Sequence, residues 1–167
     1  MEPPDATASI SFRSPRPDDG REMWRIARDS GALDLNSPYA YVLAGDHFAA
    51  TSVVTDAGDG ALAGFVTAYV PPDEPDVVFV WQVAVDHSHR GEGLGRRLLH
   101  EVIERVADDR VRAMAATVTP SNEASRRLFR SVARDRGAEY REDPHFAAQL
   151  FPGEGHEPEN RLLISPL

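Results

Sequence analysis

Residues 89–97 read His89-Arg90-Gly91-Glu92-Gly93-Leu94-Gly95-Arg96-Arg97, three glycines at alternate positions among arginines. The stretch follows the apolar run Val77 to Val85 (VVFVWQVAV) and precedes Leu94, Leu98, Leu99, Val102, Ile103 and Val106, apolar residues at helical spacing. A nearly continuous apolar run suits a strand covered on both faces. The spaced residues suit one face of a helix from about Gly93 to Ala107. Strand, glycine loop and helix in succession aim free backbone N–H groups at a helix N-terminus, where the helix dipole favours an anion. Glycine permits the positive φ and close approach that such a loop needs, and Arg90, Arg96 and Arg97 offer charge-assisted hydrogen bonds. A plain tight turn with solvated arginines is the simpler reading of the same residues. Two phosphate loops are excluded: a dinucleotide fingerprint requires glycine where Arg96 stands, and a P-loop requires a lysine, which this chain lacks.

Outward from the loop, the pattern predicts one domain over residues 9–167 after a frayed tail of eight residues. A short strand is expected at Ile10 to Phe12, and a helix from about Asp18 to Arg28 with Met23, Ile26 and Ala27 inward. LDLNSPYAY (Leu33 to Tyr41) reads as loop, turning helical through YVLAGDHF. Ala50 to Thr55 and Ala61 to Val70 read as a hairpin about the Asp56–Gly60 turn. Val111 to Val118 is a strand, and Ser121 is expected to cap a helix reaching about Asp135. NRLLISPL is the last strand. The order predicts an α/β fold, a mixed sheet flanked by helices.

All 18 basic residues are arginine, cysteine is absent, and the formal charge is -9. A nucleic-acid or acidic-membrane partner is disfavoured, because either needs a basic face. Lysine Schiff bases, thiolate catalysis and Cys-ligated zinc are excluded, and the histidines show no metal-ligand spacing. The N-terminus lacks the pattern of a signal peptide, and no apolar run is long enough to span a membrane. A cytoplasmic location is expected.

Arg90-x-x-Gly93-x-Gly95 after a Val-Ala-Val strand resembles the acetyl-CoA loop of the GCN5-related N-acetyltransferases (GNATs). Asn122-Glu123-Ala124-Ser125-Arg126-Arg127-Leu128-Phe129 is similar to that family's second conserved helix, on the next strand–helix unit. The resemblance implies a mostly antiparallel central sheet whose splayed central strands hold CoA. It places the pyrophosphate on the amides of Arg90 to Arg96, through Gly91, Gly93, Leu94 and Gly95. The pantetheine arm would lie along the backbone edge of Val83, Ala84 and Val85, with Asn122 near its sulfur end. Many members place a tyrosine acid where this chain has Phe129, which cannot donate a proton. Tyr39 and Tyr41 are then the candidate hydroxyls, unless CoA leaves as thiolate through water. With no Lys or Cys as acyl carrier, direct attack in a ternary complex is the economical mechanism.

LDLNSPYAY, FVWQVAVD, TVTPSNEASRRLFRS and LFPGEGHEPE together resemble the diaminobutyrate acetyltransferases of ectoine biosynthesis, over roughly Ser9 to Leu167. That resemblance implies acetyl transfer from acetyl-CoA to the γ-amino group of L-2,4-diaminobutyrate in a homodimer. Such a substrate carries two ammonium groups and a carboxylate. Asp34 is the expected ammonium partner, although a turn Asp reads the same way. Trp81 offers a ring face to a cation, or a core tryptophan. One of Tyr39 and Tyr41 is expected in the pocket and the other in the core. Glu157 is expected to orient an ammonium or relay its proton, His156 to bind the carboxylate, and Thr117 and Thr119 to add hydroxyl contacts. The acidic cluster DEPD (Asp73 to Asp76) reads as solvated loop. Two further readings stand: a GNAT enzyme for a polyamine or peptide N-terminus, and a non-catalytic acyl-CoA sensor.

Overall fold

The computed structural model describes residues 9–107 and 110–167; the expected tail, residues 1–8, lies outside them. The described elements are β1 (Ser11–Arg13), α1 (Gly20–Ser30), α2 (Pro38–His47), β2 (Val53–Asp56), β3 (Leu62–Tyr69), β4 (Val77–Val85), α3 (Leu94–Val106), β5 (Ala113–Val118), α4 (Glu123–Arg136), β6 (Glu139–Phe146) and β7 (Glu159–Ser165). The strands form one sheet in the order β1-β2-β3-β4-β5-β7-β6. Among the described strands only β4 and β5 pair in parallel, as a pair joined through a helical crossover does. The mixed, mostly antiparallel architecture matches the sequence-based expectation.

Alternation along the strands divides most of the buried apolar residues between two large cores, with a small third cluster of Val77, Ala113 and Ala115. Val53 and Val66 enter one beneath α3 and α4, while their neighbours Val54 and Phe65 enter the other beneath α1 and α2. The stripe of α3 is buried throughout, and each such aliphatic side chain contributes about 1.5–3 kcal/mol. Strand β4 changes its allegiance midway. Its register with β3 runs Gly64↔Val85 to Thr67↔Gln82 and then jumps to Ala68↔Val80, which leaves Trp81 as an extra residue, a β-bulge. Before the bulge, Val78 and Val80 face the α3/α4 core. After it, Val83 and Val85 pack there, and Ala84 joins the α1/α2 core.

Three expectations need correction. Strand β6 was not anticipated, because EYREDPHF is polar on both sides; it forms an exposed edge held by pairing with β7. Asn122, not Ser121, caps α4, its side-chain oxygen accepting the Ser125 N–H at 3.1 Å. The second strand starts at Val53 instead of Ala50, since a turn at Thr51 hands its N–H to Phe48 O.

Candidate active site

β4 pairs with β5 only over Val77–Val80, opposite Ala113–Ala116. Beyond that the strands diverge, and the backbone edge of Val83, Ala84 and Val85 stands open on the β5 side. Asp86 then ends the strand and shapes the loop. Its N–H donates to Ala63 O at 2.8 Å. Its carboxylate accepts Arg25 Nη1 at 2.8 Å and the Ser88 N–H at 3.2 Å, and the Ser88 hydroxyl donates to it too. Burial pushes this carboxyl up, but Ser88 and Arg25 outweigh it and hold the group down at about 2. The chain next passes through Gly91 (φ 82°) and Gly93 (φ 72°), left-handed positions that glycine occupies without strain. In α3 the Arg97 N–H returns to Gly93 O. The N–H groups of Leu94, Gly95 and Arg96 precede that first helical bond and are open to an anion.

The expected arginine bracket is corrected. Asp135 of α4 grips the Arg96 guanidinium at both ends and also takes His100 Nε2 at 2.8 Å; Arg96 and His100 hold its carboxyl at about 2. Arg97 lies over the Phe12 ring, 4.7 Å from its centroid. Packing α4 on α3 therefore neutralises one cation, and β1 draws another away. Among the described residues, only Arg90 of the three keeps an exposed, unengaged side chain; Arg96 is left with its backbone amide.

Beside the splay lies a cavity of about 880 Å³. The Asp34 loop, β4, the end of β5 and the segment from His156 to Arg161 enclose it. Trp81, turned out by the bulge and 43% exposed, lines it. Gln82 fixes its floor. The buried amide accepts the Tyr41 hydroxyl at 2.9 Å, donates to Asp34 O at 2.8 Å, and so ties the Asp34 loop to the strand. The Asp34 carboxylate stands 3.7 Å from His156 Nε2. His156 Nδ1 donates to Glu157 O at 2.5 Å, and its ring stacks on Phe151 at 3.8 Å. Asp34, His156 and Glu159 bring donor atoms within 4.8 Å of one another. Burial pushes the Glu159 carboxyl up, and Asp34 and Glu157 add to this; Thr117 and His156 oppose it, with the balance upward. Thr117, Thr119 and Asn122 line the side towards α4, and Arg161 holds Glu74 at 2.7 Å on another wall.

The structure thus brings Asp34, Trp81, Thr117, Thr119, Asn122 and His156 to one cavity. It does not bring the two tyrosines or Glu157 there. In α2, Tyr39 points outward at 67% exposure and Tyr41 is core, its ring edge-on to Phe65. Neither lines the cavity; two residues apart on a helix, they diverge by more than a quarter turn. Glu157 is taken by Ser121, whose N–H and hydroxyl both donate to its carboxylate. Phe129 is buried in the α3/α4 core. The sequence reading missed Glu159, Gln82, Arg161 and Glu74. The signal for Glu159 was present: Glu159 and Arg161, two apart in a strand, share a face.

Residues 16–133 match the family model of the acetyltransferase (GNAT) family. The chain belongs to the GNAT family. Its GNAT relatives include the L-2,4-diaminobutyric acid acetyltransferases of Streptomyces coelicolor (47% identical; 97% of this chain, 96% of the relative) and Shouchella clausii (43%; 96% and 89%). Among solved GNAT structures, the diaminobutyrate acetyltransferase of Paenibacillus lautus, determined with L-2,4-diaminobutyric acid and coenzyme A, superposes with a TM-score of 0.88. It is 40% identical and covers 95% of each chain. These identities place the chain among the diaminobutyrate acetyltransferases of the GNAT family, acetyl-CoA-dependent N-acetyltransferases.

Proposed function

We propose that the protein transfers the acetyl group of acetyl-CoA to the 4-amino group of L-2,4-diaminobutyrate, the acetylation of ectoine biosynthesis. The observation that carries this reading is the Asp34–His156–Glu159 cluster beside the splay of β4 and β5. It is an anionic, partly enclosed place for an ammonium group next to the open strand edge. The pyrophosphate of CoA lies on the amides that start α3, beside Arg90, and the pantetheine arm runs along Val83 to Val85. Asp34 and Trp81 hold ammonium charge, and Thr117 and Asn122 complete the cavity wall.

The acceptor arrives as an ammonium ion and must lose a proton before it attacks. Glu159 takes that proton, directly or through a water, because its raised pKa brings it nearer to the operating pH. The neutral amine adds to the thioester carbonyl, whose oxygen receives a backbone N–H from the open edge of β4. Collapse of the adduct expels the CoA sulfur, and the second proton of the attacking nitrogen neutralises the thiolate. No tyrosine acid is needed, which suits a buried Phe129.

The protein acts in the cytoplasm, in osmoprotection, as a homodimer. Among the described residues no helix is long and apolar enough to cross a membrane. Exposed Tyr39 and Val42, one turn apart on α2, offer an apolar patch for self-association. Release of CoA thiol from acetyl-CoA tests the function. Release is expected with L-2,4-diaminobutyrate; preferred turnover of polyamines or peptide N-termini, or no turnover with any amine, refutes it.

A further inference from the structure

We propose that Arg161 is the specificity-determining residue for the acceptor, binding its carboxylate and so excluding plain diamines. The proposal rests on the function proposed above and names what selects the substrate within it.

Among the described residues Arg161 is the only arginine lining the cavity, whose other charged walls are Asp34, Glu74, Glu159 and the imidazole pair His145 and His156. It projects from β7 on the same face as Glu159, two residues along the strand, a separation of about 6.8 Å between Cα atoms. Opposite charges at that spacing on one wall match a small zwitterion that presents an ammonium at one end and a carboxylate at the other. Pairing with β5 (Thr117↔Arg161) fixes the strand, so neither charge depends on a loop for its place. Glu74 takes one guanidinium nitrogen, Nη2, at 2.7 Å. The rest of the donor fork carries no other bond among the described residues and remains for a planar anion, the geometry a carboxylate accepts. Glu74 therefore positions the guanidinium without consuming it.

His156, the imidazole first expected to bind the carboxylate, is a poor site for it. It lies 3.7 Å from the Asp34 carboxylate and clusters with Glu159, so a third carboxylate there would meet two like charges. The same two carboxylates serve an ammonium. The cavity is thus divided: two carboxylates lie around His156, while at Arg161 the one carboxylate, Glu74, faces a guanidinium with donors to spare.

The test compares two acceptors on two proteins: L-2,4-diaminobutyrate and 1,3-diaminopropane, its counterpart without the carboxylate, each with the wild type and Arg161→Gln. The wild type is expected to prefer diaminobutyrate. The substitution should lower kcat/KM for diaminobutyrate on the order of 100-fold, the usual scale for losing one partner of a buried charge pair, and for diaminopropane only several-fold. Arg161→Lys should fall between, since a point charge replaces a fork. Turnover of diaminopropane is the internal check that the variant is folded. Equal losses on both acceptors, or no loss on diaminobutyrate, overturn the proposal while leaving the acetyltransferase function intact. A wild type that acetylates diaminopropane but not diaminobutyrate overturns both readings.

Discussion

Removing one hydroxyl, in Tyr41→Phe, separates a structural role from a catalytic one. The ring stays, packed edge-on against Phe65 with centroids 6.0 Å apart. What goes is the 2.9 Å bond to Gln82 Oε1, made between side chains whose residues are 2% and 6% exposed. Water cannot readily replace the donor, so a buried acceptor is left unsatisfied at a cost of about 1–3 kcal/mol. Urea unfolding should show a midpoint lower by roughly 1 M with an unchanged slope. Gln82 also donates to Asp34 O, so a looser amide slackens the Asp34 loop. The KM for the diamine should rise several-fold, with that for acetyl-CoA and kcat little changed. A hydroxyl that protonated the leaving thiolate would behave otherwise: its loss would lower kcat by roughly 100-fold or more and reshape the pH profile. Stability within about 0.5 kcal/mol of wild type, with unaltered diamine KM, refutes the tether; a large loss of kcat returns Tyr41 to the chemistry.

Three further outcomes are expected. Glu159→Gln should lower kcat by roughly 10²–10⁴-fold and abolish the rise of activity with pH, a rise displaced above the ordinary glutamate range because burial raises this carboxyl; a kcat within tenfold of wild type removes Glu159 as the base. Asp86→Asn should cost about 2 kcal/mol near neutrality, the worth of holding the carboxyl at about 2 instead of 3.8. The depressed value stabilises the fold above pH 4, and the gain is lost as pH falls from about 4 to 2; unfolding at several pH values should show wild type and variant converging there, and a gap independent of pH contradicts it. Gly93→Val should weaken acetyl-CoA binding at least tenfold by calorimetry, because φ 72° strains a β-branched residue although nothing within 4 Å would meet its Cβ; unchanged affinity argues against the phosphate cradle.

What the sequence disclosed follows physical lines. The cradle was legible because its requirement is local: positive φ at Gly91 and Gly93 leaves a mark in composition, and the α3 stripe repeats at a helical period. Asp34, Trp81, Thr117, Asn122 and His156, the candidates named from sequence, line one cavity, whereas Glu159 and not the expected Glu157 lines it with them. Both lie in one short acidic run, and they are told apart by contacts distant in the chain: Ser121 takes Glu157, while Glu159 enters β7 opposite Phe146 of β6 and lines the cavity. Glu74 and Arg161 are 87 residues apart, so no local pattern links them, and an acidic loop reads as solvated until its partner is known. Strand β6 carries no period of either kind. Its Glu142 instead gathers Arg126, Tyr140 and Asn160, from α4, β6 and β7, at 2.8–3.1 Å, a tertiary anchor that hydrophobic patterning does not register.

The extra residue in β4 gives the gene one place where a codon can be lost without shifting the strand. In-frame loss of the Trp81 codon would remove the bulge and one cavity wall, yet Val80 followed directly by Gln82 restores simple alternation along β4, and every later side chain keeps its face. Loss of the Val83 codon is different: with Trp81 drawn into the ladder, Gln82 falls in the place of Val83 in the α3/α4 core, and its tether to the Asp34 loop is lost. A scan of single-codon deletions should therefore find Trp81 the best-tolerated loss for folding within Val77 to Val85, while acetyl transfer suffers with the missing wall.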